Sequence, residues 1–288
     1  MIWLIGNRGM LGTEVEALLQ QRDIPYFASD KEVDITDTNM LQQFVTDKLF
    51  TWIINCSAYT TVDKAEDETE IAYRINANGP RNLAEIARSK NAKLIHISTD
   101  YVFDGKKEEA YTETDAPNPL GVYGASKYQG ELHIRQTLQE YFILRTSWLY
   151  GKHGNNFVYT MLRLFTERNE VSVVGDQYGS PTYAPDLVEA ILEIVSSNSK
   201  VYGIYNFANE GRISWYDFAC AIYLMVQNKG LLSKDVRIQR ISTEEYPTKA
   251  LRPENSYLSK EKIRQSFNIR VRPWQEGLQD FFVGMDVS

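Results

Sequence analysis

Two side chains four positions apart, Tyr123 and Lys127 in Tyr123-Gly124-Ala125-Ser126-Lys127, carry the most specific chemistry in this chain. On a helix that spacing puts a phenol and an ammonium on one face, about a turn apart. A cation beside a phenol favours phenolate. A group with an ordinary pKa of roughly 10 is then drawn toward neutrality and can exchange a proton with a substrate oxygen. Read alone, the pair also fits a solvated helix face, so its meaning comes from Ser98-Thr99-Asp100, which ends an apolar run just upstream. A hydroxyl there, Thr99 above all, would reach the oxygen that Tyr123 protonates and polarise a carbonyl, while Asp100 would hold a substrate hydroxyl. The plainer reading of Thr99 is a strand-end hydrogen bond. Strand end, hydroxyl, then Tyr and Lys on the next helix make a ketone-reducing arrangement.

A reductase needs a hydride donor, and the first apolar run supplies a place for one. Ile2–Ile5 ends in Gly6-Asn7-Arg8-Gly9-Met10-Leu11-Gly12, where a helical pattern starts at once. Glycines at a strand-to-helix turn let the backbone approach a pyrophosphate, which the amides of the helix N-terminus then hold. The spacing is GxxGxxG rather than GxGxxG, and a structural tight turn is the alternative. Asp30 follows the second apolar run at the distance where an acidic residue meets an adenosine ribose, which favours NADH; Arg8 inside the glycine loop pulls toward NADPH. In Asp34-Ile35-Thr36-Asp37 a carboxylate could meet the adenine or cap the next helix, and we expect Asp34 to do the first and Asp37 the second. The small-residue stretch Ser57-Ala58-Tyr59-Thr60 follows the run Trp52–Cys56 and should line the cofactor cleft, although an ordinary connecting loop would look the same.

The elements that must position these groups are readable as an alternation. Apolar runs at 2–5, 25–28, 52–56, 93–98 and 142–146 are separated by amphipathic stretches at 11–19 and 41–50, a long polar helix from about 65 to 90, and a helix after Tyr123. Such alternation predicts an α/β fold of the Rossmann type, a doubly wound parallel sheet with helices on both faces. Runs such as Trp52-Ile53-Ile54 and Leu94-Ile95-His96-Ile97 suit strands buried on both sides. Beyond residue 147 the pattern is less regular, with strands near 171–174 and 201–207 and helices at 185–195 and 215–226. We therefore expect a cofactor domain over 1–147 and a smaller mixed α/β substrate-binding lobe over 148–288, with parts of it returning to the first domain.

Composition narrows the partners. With 43% hydrophobic and 24% charged residues the chain is ordinary globular material, and it holds no apolar stretch long enough to span a membrane. A net charge of −7 speaks against a nucleic-acid partner, whose phosphates call for clustered Lys and Arg. Cys56 and Cys220 have no paired spacing and read as small core residues, and Met1 runs straight into a strand without a basic leader. A cytoplasmic address is the expectation.

On Gly6 to Gly12, Asp34 to Asp37, Tyr59 to Glu66, Asn76-Ala77, Ser98-Thr99-Asp100-Tyr101-Val102-Phe103-Asp104-Gly105, Tyr123 to Lys127, Arg145 to Gly151, Gln177 to Thr182 and Arg252 to Ser256, the chain resembles the extended short-chain dehydrogenase/reductases. Within that group it is most similar to the dTDP-4-dehydrorhamnose reductases. The resemblance implies Thr99, Tyr123 and Lys127 as the catalytic set, with Val62, Asp100, Tyr101 and Trp148 near the sugar. It places Gly9, Met10 and Leu11 on the pyrophosphate of NADPH or NADH, Asp34 and Ile35 on the adenine, and Ala58, Tyr59 and Thr60 along the cofactor's middle. Arg252 suits a nucleotide pyrophosphate, and equally a structural salt bridge. Some members of the family dimerise through magnesium held by glutamates. Here Glu14, read as a first-turn helix residue, matches one ligand, but Pro185 stands where the second is expected, so no metal site and a monomer or weak homodimer are implied.

The implied reaction is reduction at C4 of dTDP-4-dehydro-β-L-rhamnose. An epimerase or dehydratase on the same fold is the competing enzyme. Dehydratases usually need an acidic pair after the strand-end Thr, and Thr99 is followed by Asp100 and Tyr101. A non-catalytic module resembling the methionine adenosyltransferase accessory subunit would have no need of the Thr99, Tyr123 and Lys127 set.

Overall fold

The computed structural model describes residues 1–283 and 285. Its first strand, β1 (Ile2–Ile5), is buried at every residue. Alternate side chains leave opposite faces of a strand, so Trp3 and Ile5 enter one core while Ile2 and Leu4 enter another. The glycine turn leads into α1 (Met10–Gln21), followed by β2 (Tyr26–Ser29), α2 (Thr38–Val45) and β3 (Trp52–Asn55). Asp37 caps α2, accepting hydrogen bonds from the Asn39 and Met40 amides.

The long helix expected over 65–90 is broken. It begins as a single turn, α3 (Val62–Ala65), and resumes as α4 (Thr69–Tyr73) after Glu66–Glu68. Residues Arg74–Asn78 then form a π-helical stretch before α5 (Gly79–Ser89), whose Pro80 is tolerated near a new helical start. The first half closes with β4 (Lys93–Thr99), a short 3₁₀ turn at Asp100–Val102, α6 (Val122–Thr137) and β5 (Tyr141–Thr146).

The second half runs β6 (Leu149–Tyr150), α7 (Phe157–Glu167), β7 (Glu170–Val174), β8 (Tyr178–Gly179), β9 (Thr182–Tyr183), α8 (Ala184–Ser196), β10 (Gly203–Asn206), β11 (Ile213–Ser214), α9 (Trp215–Asn228), β12 (Arg237–Ile241), α10 (Glu261–Phe267) and α11 (Trp274–Phe281). Three of these pieces, β10, α8 and α10, belong to the main sheet's layers. β10 pairs in parallel with β5, giving a six-stranded parallel sheet in the order β2-β1-β3-β4-β5-β10. Leu187 and Ile191 of α8 share a core with Leu11, Val15 and Leu19 of α1. Ile263 of α10 joins that core too, whereas α7, β7, α9 and α11 surround a separate apolar cluster containing Phe165, Phe218, Leu278 and Phe281.

Strand order fixes where a ligand sits. From β1 the chain moves to one side to make β2, then crosses to the other side to make β3. The crevice opens at that switch point, outside the carboxyl ends of β1 and β3. The glycine turn and the Ser57–Thr60 loop stand there, and Thr99 ends β4, the next strand over.

Candidate active site

The cradle at the switch point is shaped by missing side chains. Gly6 has φ +79°, and a Cβ on it would lie 2.9 Å from the Ser57 amide nitrogen. At Gly12 an added Cβ would stand 1.9 Å from the Gly6 carbonyl oxygen, so helix and turn can approach only with glycine there. The Gly9 amide closes the turn on the Gly6 carbonyl at 3.1 Å. No side chain caps α1 at Gly9 and no acid lies in its first turn, so its leading amides suit a phosphate. Glu14 falls in the second turn of α1, one turn later than the sequence reading placed it.

Around this turn the adenosine-side residues separate into two kinds. Asp34 is exposed and accepts a hydrogen bond from the Thr36 amide at 2.8 Å. Ile35 is buried: its side chain packs where a Cβ on Gly79 would go, and its carbonyl accepts from Asn82 Nδ2. Only its backbone remains for a ligand. Asp30 follows β2 beside Glu32, which accepts from the Asp30 amide, and Arg8 reaches Glu32 at 3.9 Å with most of its side chain in solvent.

The loop after β3 is held from the π-helical stretch. Asn76 there is buried, accepts from the Tyr59 amide at 2.8 Å, donates to the Tyr59 carbonyl at 3.0 Å and donates to Ser126 Oγ at 3.1 Å. Ser126 lies between Tyr123 and Lys127, so one amide ties Ala58–Thr60 to the helix carrying the proposed acid. A second tie is Glu66, whose carboxylate accepts from the Val122 amide at 2.9 Å and supplies the negative charge that α6 lacks in its own first turn.

The Thr99 hydroxyl meets the Tyr123 phenol, while the Lys127 amine is engaged on the sheet side, and the electrostatics differ from those the helical spacing suggested. Burial raises the Tyr123 phenol to about 12, the Thr99 hydroxyl opposes that rise, and the Asp100 carboxylate adds to it. The lysine does not draw the phenol down in this structure. Lys127 Nζ donates to the Ile97 carbonyl at 2.6 Å and stands 3.4 Å from His96 Nε2, toward the sheet. Burial pushes its own pKa down to about 8 against the charges of Glu131 and Cys56.

Toward the second half lie the substrate-side residues. Thr99 Oγ1 donates to Asp100 Oδ1 at 2.9 Å and accepts from the Tyr101 amide. Asp100 is buried, its Oδ2 has no hydrogen-bond partner among the described residues, and burial pushes its carboxyl up to about 6 against the opposing Ser256 and Thr99 hydroxyls. The Tyr101 ring meets Tyr123 edge-on at 5.6 Å. Trp148, at φ +47°, stacks on Trp215 at 3.6 Å and lies over Gly179, where a Cβ would come within 2.7 Å of the indole. Val62 opens α3, half-buried. Arg252 is engaged elsewhere: its fork grips Asp63 at 2.9 and 2.8 Å and also donates to the Ala250 carbonyl, the salt-bridge alternative in place of a free phosphate clamp. Among the described residues no group of three or more His, Cys, Asp or Glu is placed to share a cation. Glu14 has His153 at 3.8 Å as its neighbour.

Comparison with known proteins agrees with this fold. Residues 1–286 match the family model described as the RmlD substrate binding domain. The dTDP-4-dehydrorhamnose reductase of Aggregatibacter actinomycetemcomitans is 42% identical over 283 residues, covering 96% of both chains. The enzyme of that name from Escherichia coli (strain K12) is 36% identical over 285 residues, covering 96% of this chain and 95% of its own. The crystal structure of dTDP-4-dehydrorhamnose reductase from Bacillus anthracis str. Ames, in complex with NADP, superposes with a TM-score of 0.92 at 42% identity and 98% coverage of each chain. This chain belongs to the dTDP-4-dehydrorhamnose reductase family.

The sequence reading gives no role to four polar residues, Asn55, Glu66, Asn76 and His96, although Glu66 and Asn76 stand inside the motifs that carry the resemblance. Each reaches the site through a contact made over a long sequence separation. The one local signal was a histidine in the middle of an otherwise apolar strand, Leu94-Ile95-His96-Ile97. A fully buried imidazole has to find partners, and on an interior strand those partners face the neighbouring strand and helix.

Proposed function

We propose that this chain reduces the C4 keto group of dTDP-4-dehydro-β-L-rhamnose to give dTDP-β-L-rhamnose, in the service of cell-envelope polysaccharide synthesis. The observation that carries the reading is the meeting of Thr99 and Tyr123 hydroxyls beside a glycine cradle at the sheet's switch point. Family membership supports it. NADPH, when bound, supplies the hydride, and the exposed Arg8 together with the NADP of the Bacillus anthracis relative supports NADPH over NADH. Gly6, Gly9, Met10, Leu11 and Gly12 would hold its pyrophosphate, Asp30, Asp34 and the Ile35 backbone its adenosine, and Ala58, Tyr59 and Thr60 its middle. Lys127 would face the nicotinamide ribose.

The protein's own steps follow from proton positions. Tyr123 O–H donates its proton to the oxygen that gains charge as C4 is reduced. Its high proton affinity keeps the acid loaded at neutral pH. Thr99, turning its one proton from Asp100 Oδ1 to the substrate, would offer the same oxygen a hydrogen bond, and Asp100, Tyr101, Val62 and Trp148 orient the sugar. In the same reading residues 1–147 form the cofactor domain and 148–288 mostly the substrate lobe. The partner is a nucleotide sugar, the address is cytoplasmic, and the assembly is a monomer or weak homodimer, because Pro185 gives Glu14 no carboxylate companion. Tyr123→Phe should cut turnover at least ~100-fold while NADPH affinity, read by fluorescence, stays within a few-fold. Near-normal turnover in that variant would remove Tyr123 from the acid's role.

A further inference from the structure

The Lys127 amine faces a histidine whose protonated nitrogen can be assigned from its surroundings. Asn55 Oδ1 accepts from the Ser57 amide at 3.0 Å and from Ser57 Oγ at 2.6 Å. A backbone N–H can only donate, so the amide oxygen must face Ser57 and Nδ2 must face His96, 3.0 Å from its Nδ1. The ring nitrogen meeting Nδ2 is therefore the lone-pair nitrogen, and the neutral ring carries its hydrogen on Nε2. That N–H points at Lys127 Nζ, 3.4 Å away. Asn55 and His96 are both 0% exposed, so water cannot correct a mismatch.

An ammonium has three hydrogens and no lone pair. A neutral amine can donate to the Ile97 carbonyl and accept from the imidazole at once. We propose that Asn55 and His96 are a positioning pair for the reductase: by holding the imidazole as its Nε2–H tautomer they present a donor to Lys127 and favour the lysine's unprotonated form. The proposal rests on the reading that Lys127 faces the nicotinamide ribose, where an amine near neutrality can both donate and take up a proton. The other charged or titratable groups facing Lys127 are Glu131, one turn along α6, and the Cys56 thiol after β3. Arg145 of β5 holds Glu131 in a two-pronged ion pair.

Two measurements on the full chain without cofactor test the pair. In ¹⁵N-histidine NMR, His96 should show Nε2 protonated and Nδ1 bare from roughly pH 6 to pH 9; an Nδ1–H ring or an imidazolium overturns the assignment. In ¹³C-lysine NMR the Cε resonance missing from Lys127→Met should titrate near pH 8. Asn55→Asp keeps an acceptor for Ser57 but requires the ring proton on Nδ1, which turns a lone pair toward Lys127. Its lysine midpoint should rise by about one pH unit. An unmoved midpoint sinks the proposal, and if that variant fails to fold the tautomer decides alone. Full turnover in Lys127→Met would instead sink the ribose reading and leave these titrations as they are.

Discussion

Replacing Asp100 with Asn should make the protein gain stability, relative to the parent, as pH rises. In the folded state Asp100 is 2% exposed and its carboxyl is pushed from 3.8 up to about 6, chiefly by burial. A carboxyl with a raised folded pKa binds protons more tightly folded than unfolded. Its favourable contribution is therefore complete below the unfolded value near 3.8 and is lost as pH climbs through about 6. At 1.36 kcal/mol per pH unit, the parent should lose about 2 kcal/mol from this one group between roughly pH 4.5 and pH 7.5. The amide of Asp100→Asn does not titrate, so the stability gap between the two proteins should move by that amount in the variant's favour. Any fixed cost of the amide N–H₂ at the unpartnered Oδ2 position cancels between the two pH values. Urea unfolding followed by tryptophan fluorescence, with five Trp residues as reporters, measures the gap. A gap constant to within ~0.5 kcal/mol would mean that Asp100 ionises normally when folded and that the burial argument is wrong. Turnover in the variant should fall, since an orienting carboxylate has been lost.

Two further changes probe the framework. Glu131→Ala leaves Arg145, 1% exposed with Nη1 already unpartnered, as a buried lone charge. It should cost about 3–5 kcal/mol, seen as a drop of roughly 10 °C in Tm, and a loss under ~1 kcal/mol would show the pair to be dispensable. Gly12→Ala drives a methyl to 1.9 Å from the Gly6 carbonyl oxygen. NADPH affinity should weaken by more than ~10-fold as helix and turn separate, and unchanged binding by titration calorimetry would remove the cradle from the cofactor's site.

What the sequence disclosed was whatever depends on near neighbours. Tyr123 and Lys127 are one helical turn apart, and the glycine turn is continuous, so chemistry and geometry were both local. Asp37 as a cap was legible for the same reason. The sheet's parallel character followed from alternation, but alternation does not specify which strand lies beside which: a strand near 201–207 was legible, whereas its pairing with β5 had no local signal. The broken helix over 62–89 was hidden because Glu66 and Glu68 are good helix formers and Asp67 alone is a weak stop signal; at the break Glu66 reaches over to α6, a contact no local pattern announces. Direction of a pKa shift was the hardest to foresee. The pairing of Tyr123 with Lys127 suggested a lowered phenol, whereas burial of both groups, and a lysine turned to Ile97 and His96, reverses it.

Gly203–Asn206 completes the sheet from far down the chain, and this constrains how the protein is born. During synthesis β5 leaves the ribosome with its outer edge bare and keeps it so while everything up to residue 202 is made. An unpaired apolar strand is a template for pairing with any other extended chain. Maturation of this molecule therefore includes an interval of exposure that ends only when the late strand arrives, and a nascent chain stalled before that point would leave a stickier product than one stalled soon after it.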